Sequence, residues 1–146
     1  MRSSPDAHNA YVLQQHQRLG NKVKPLIRFI KAWKFFRQVP ISSFYLELRV
    51  AKYAEGESSI LYSIDVKRVL TRLLDANLAA IQDPMGVSGY IYPCTSEAKL
   101  ADAKSKLSTA VGRAEKAYEA EQAGRIGDAF DWWRQLYADQ FPSYYY

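Results

Sequence analysis

The sequence predicts an all-α protein, a bundle of about five to six helices with one short irregular or extended excursion near 83–95. Three observations lead there. Apolar residues recur at three- and four-residue spacing over most of the chain. Helix start and stop signals separate those stretches. Only "GVSGYIYPC" has strand character, with Tyr90, Ile91 and Tyr92 set between glycine and proline.

The first helix, about 5–20, opens at Ser4-Pro5, a cap followed by a first-turn proline, and closes at Gly20-Asn21. The second, about 22–38, carries Val23, Leu26, Ile27, Phe29, Ile30, Trp33, Phe35 and Phe36. These cover most of its circumference, so it is expected to be largely buried. Pro40 ends this region, and Ser42 or Ser43 can cap the third helix, about 43–54. A fourth, about 60–82, places Val66, Leu70, Leu73 and Ile81 on one side. "QDPMG" then forms a turn, stabilised by Asp83 and Pro84. The fifth helix, about 96–123, repeats Leu100, Leu107, Val111, Ala114 and Tyr118 and stops at Gly124; the last, about 127–138, spaces Phe130, Trp133 and Tyr137 helically. The tail "SYYY" is either an exposed aromatic patch or disordered. No repeat and no linker divides residues 1–146, so one domain is expected.

Composition narrows the chemistry. No apolar run approaches the ~20 residues of a membrane span, and "MRSSPDAHNAY" lacks the apolar core of a secretory signal. A cytoplasmic location and no membrane partner are therefore expected. The single cysteine, Cys94, permits no internal disulfide, and His8 and His16 are too few to build a zinc cluster. Both histidines are expected at the surface or in caps, and Cys94 in a structural role. Trp33, Trp132 and Trp133 are expected in the core or at helix contacts.

The charge is unevenly spread. Residues 1–73 hold 13 Lys and Arg against 5 Asp and Glu, and residues 74–146 hold 7 against 10. Between Asp6 and Glu47 there is no acid, yet Arg18, Lys22, Lys24, Arg28, Lys31, Lys34 and Arg37 fall in that gap. At about 100° per residue, Lys24, Arg28 and Lys31 make one axial stripe. Leaving such charges buried and unpaired costs several kcal/mol each, so they must face water, acids or a bound anion. A serine-capped helix start about a dozen residues further on is itself suited to an anion, and the two can grip a triphosphate from two sides. The competing reading is a solvated basic face with serines that only cap.

Here the residues acquire a resemblance. "PLIRFIKAWKFFRQVPISSFYLELRVAKYA" resembles the start of the C-terminal helical domain of cGAS/DncV-like nucleotidyltransferases (CD-NTases), relatives of the oligoadenylate synthetases. "AIQDPMGVSGYI" is similar to their DP-containing loop, and "DAFDWWRQLYADQFP" to their closing segment; the likeness covers roughly residues 5–142. Such enzymes join nucleoside triphosphates with two metal ions and make linear or cyclic oligonucleotide second messengers in antiphage (antiviral) signalling. The resemblance implies that Lys31 holds phosphate, Ser43 donates to a phosphate oxygen, and Phe44 stacks on a base. Arg28 joins them as Lys31's neighbour on the stripe. His16 stands where the family has a polar, often amide, residue.

The family's catalytic signature does not occur in these residues. No glycine is followed by serine, and acids separated by one residue lie at Glu55/Glu57 around Gly56 and at Glu119/Glu121 on a helix. Two-metal phosphoryl transfer needs carboxylates converging on ions about 3.5–4 Å apart, whereas (i, i+2) positions on a helix diverge. No catalytic residue and no metal ligand is therefore assigned, and no cofactor is expected in this chain. Mg²⁺ and a nucleoside triphosphate are expected for the intact parent enzyme. The expectation is a nucleotide-orienting domain, silent alone, that works with a palm domain in cis or in trans. The alternative is a freestanding module that binds nucleic acid or a protein partner.

Overall fold

A computed structural model describes residues 5–86 and 89–139, without the side chains of Pro5 and Asp6. Six helices and one two-stranded hairpin make up these residues: α1 (Pro5–Arg18), α2 (Val23–Phe36), α3 (Ser43–Glu55), α4 (Tyr62–Asp75), β1 (Ile81–Gln82), β2 (Tyr90–Ile91), α5 (Glu97–Gln122) and α6 (Ile126–Leu136). The all-α expectation holds. Ser3, Ser4 and the "SYYY" tail lie outside the described residues.

Local chemistry explains most boundaries. α1 ends where Gly20 and Asn21 take positive φ, and the Asn21 N–H returns to the His16 carbonyl at 2.7 Å. Ser42 caps α3 by accepting the Tyr45 N–H at 3.2 Å, and Ser96 caps α5 by accepting the Lys99 N–H at 3.1 Å. At the other end of α3, Arg18 donates to the carbonyls of Ala54 (2.6 Å) and Glu57 (2.9 Å), putting its charge at the negative helix end. Asp65, buried in α4, accepts the Leu61 N–H at 2.6 Å and the Tyr53 hydroxyl. That pairing joins α3 to α4.

Two expectations need correction. The fourth helix does not run to 82: it stops at Asp75, and Asn77 and Leu78 then adopt positive φ. Ile81 and Gln82 instead pair antiparallel with Ile91 and Tyr90. Ile81 and Ile91 are both buried, so the apolar periodicity was right about burial and wrong about conformation. The second correction is Phe35, which is 74% exposed and lies edge-on to Phe36. The other large apolar residues of α2 are buried or half-buried, with Leu26, Ile30 and Trp33 fully or almost fully covered.

The core runs through all six helices. α5 presents Ala103, Ala110, Ala114, Ala117 and Ala120 along with Leu107 and Val111, and such small side chains let α4 and α6 approach closely. Leu100 and Tyr118 are only half-buried; the Tyr118 ring lies 4.5 Å under the Lys67 ammonium. Trp33 is a core residue, while Trp132 and Trp133 are half-buried at helix contacts. α1, α2 and α3 form a second packed group, which carries the basic stripe.

Candidate functional site

A cleft of about 640 Å³ opens along α1 and α2. Its basic side is Lys24, Arg28 and Lys31, the stripe read from helical spacing. Its apolar side comes from Val12 and Leu13 of α1 and from Ile27, and Glu47 of α3 also lines it. The reason for the arrangement is periodicity. The apolar groups of α2 turn to the core, which leaves one polar strip, and that strip is cationic because no acid occurs between Asp6 and Glu47.

Within the cleft, Lys31 Nζ donates to Glu47 Oε2 at 3.1 Å, with the two side chains 39% and 35% exposed. Lys24 and Arg28 are exposed. Part of the basic segment 18–37 serves the fold. Arg18 caps α3, Lys22 reaches the Ile60 carbonyl at 3.5 Å, and Arg37 donates to the Gln135 carbonyl with Nε at 3.1 Å. The cations that line the cleft are thus a subset of the run.

Lys31 and Arg28 come together here, and Ser43 and Phe44 stand nearby on α3 without lining the cleft. Ser43 is one turn before Glu47 on the same face, and its neighbour Ser42 makes the cap, so the cap does not use the Ser43 hydroxyl. Phe44 is half-buried, and its ring meets His8 edge-on with centroids 4.9 Å apart.

His8 is the residue that sequence reasoning misplaced. It is 3% exposed, and its Nε2 lies 2.9 Å from Asp83 Oδ1. The same Asp83 oxygen accepts the Met85 N–H at 2.9 Å, which is the turn-stabilising role expected of it. The chain 83–8–44 therefore links the hairpin turn, α1 and the start of α3. The Ser42 N–H adds to that junction by donating to the Pro93 carbonyl at 2.7 Å. No sequence signal marked this meeting, because the two residues lie 75 positions apart. His16 does act in a cap: its Nδ1 accepts the Lys24 N–H at 3.1 Å, one of the open donors at the start of α2. Burial, followed by the charges of Lys24 and Arg28, pushes the His16 imidazole below the usual histidine range.

Cys94 is half-buried, and burial pushes its thiol up, the opposite of an activated nucleophile. Among the described residues no three His, Cys, Asp or Glu side chains gather to hold a metal ion. No described helix is long and apolar enough to cross a membrane.

A search of family models found no match. Among curated proteins, the chain is similar to a probable cyclic nucleotide synthase of Bacillus cereus (strain VD146), 25% identical over 147 aligned positions. The alignment takes in 98% of this chain and 43% of that relative, so the chain spans less than half the length of the protein it matches.

Proposed function

We propose that this chain is the nucleotide-orienting helical part of a CD-NTase-like nucleotidyltransferase, one that builds cyclic or linear oligonucleotide signals in antiviral defence. The observation that supports it best is the cleft in which Lys24, Arg28 and Lys31 face one space beside the serine-led start of α3. The similarity of nearly the whole chain to a probable cyclic nucleotide synthase points the same way.

On this reading Lys31 grips the triphosphate, Arg28 neutralises part of its charge, and the Ser43 hydroxyl donates to a phosphate oxygen. Phe44, held by His8, offers its ring to the base. The metal-holding carboxylates and Mg²⁺ belong to a palm domain supplied in cis or in trans, so the chain orients a donor and does no chemistry alone.

Titration of the 146-residue chain with ATP tests this. Binding is expected, and Lys31→Ala should weaken it by about tenfold or more, the value of a charge-assisted phosphate contact. Absence of nucleotide binding, or equal binding by Lys31→Ala, would sink the assignment. Nucleic acid as the ligand predicts a steep fall of affinity with salt, because several phosphates are neutralised. The structural use of Arg18, Lys22 and Arg37 argues against so broad a footprint.

A further inference from the structure

We infer that Glu47 is the internal counter-ion of the cleft: it holds Lys31 between ligands and competes with the phosphates of a nucleoside triphosphate for that ammonium. The inference rests on the reading of Lys31 as a phosphate ligand and adds a regulating residue to that site.

Three features carry it. Glu47 is the first acid after the long cationic run and, among the described residues, the one carboxylate lining the cleft. Its oxygen takes the Lys31 ammonium directly, at 3.1 Å. Both partners are between one-third and two-fifths exposed, so the pair is not locked in the core. A half-exposed ion pair is weak beside a charge-assisted contact to phosphate, so exchange runs toward a polyanion when one enters. When the anion leaves, Lys31 has an acceptor one α3 turn beyond Ser43, which lowers the cost of release. A cleft with three cations and no acid would bind polyphosphate more tightly and let it go more slowly.

The test is an NMR titration of the 146-residue chain and its variants with ATP, repeated with inorganic triphosphate. Glu47→Gln keeps the shape and removes the charge; it should tighten both ligands by roughly three- to tenfold. In the Lys31→Ala background the same change should do little, about twofold at most, because the competition it relieves no longer exists. Equal tightening with and without Lys31 would mean that Glu47 acts through the general field, and would overturn the exchange. Tightening of ATP but not of inorganic triphosphate would overturn it too. If Lys31→Ala loses binding while Glu47→Gln matches the wild type, the counter-ion role fails and the nucleotide reading survives. If no variant binds either ligand, both fail. The Glu47→Gln spectrum without ligand should overlay that of the wild type away from the cleft, which shows that the fold is intact.

Discussion

At the scale of single residues, the most consequential contact is the buried meeting of His8 with Asp83. A buried polar group left without its partner costs far more than the net value of the bond it made. Asp83→Ala strands the His8 imidazole and the Met85 N–H, and should destabilise the chain by about 2–3 kcal/mol. Asp83→Asn, which keeps acceptor capacity, should cost less. Urea unfolding followed by circular dichroism ranks the two, and equal midpoints for Asp83→Ala and the wild type would show that the pair contributes nothing. Since His8 also touches the Phe44 ring, the loss should be felt at the start of α3. The pairing was not legible from spacing: a lone histidine and an aspartate 75 positions apart give no periodic signal.

At the scale of elements, α2 shows how tertiary contacts complete what its own residues leave open. Its start has no side-chain cap from Lys22, and the acceptor comes from His16 at the end of the preceding helix. Only an imidazole with Nδ1 unprotonated can accept that N–H. Because burial and the neighbouring cations depress the His16 pKa, the unfolded chain takes up a proton near pH 6.5 that the folded chain resists. Stability should therefore fall as pH drops from about 7 through 6.5 toward the lower folded value. His16→Asn keeps an acceptor and removes the titration. Its urea midpoint should fall less than the wild-type midpoint between pH 7.5 and 5.5, and parallel falls would refute the cap. α4 teaches a related point. Helical spacing alone extended it to Ile81, but Asn77 and Leu78 turn the backbone and Ile81 is claimed by the hairpin. A short apolar pattern is the same in a buried helix and a buried strand, so periodicity does not separate them.

At the scale of the whole molecule, the six helices form a continuous core, and polar side chains of α1, α2 and α3 line the cleft. The proposed division of labour makes a sharp expectation. With Mg²⁺ and a mixture of nucleoside triphosphates, the 146-residue chain should form no phosphodiester product by chromatography, because no described residues gather as metal ligands. Product formation by this chain would overturn the assignment of catalysis to a separate domain.

Much of the architecture followed from the order of residues. Helix type and number, the serine-led start of α3, the Gly20 stop, the DP turn and the cationic strip all depend on short-range chemistry, which acts within one or two turns of chain. The stripe was legible because a helix converts spacing of three and four into one face. Tertiary structure alone decided which charges were already committed. Arg18 went to the end of α3, Arg37 to α6, and Lys31 to Glu47. It also buried His8 against Asp83 and set Phe44 beside them. Those outcomes depend on which distant groups packing brings within about 3 Å, and desolvation makes each such meeting far stronger or costlier than the isolated residues indicate.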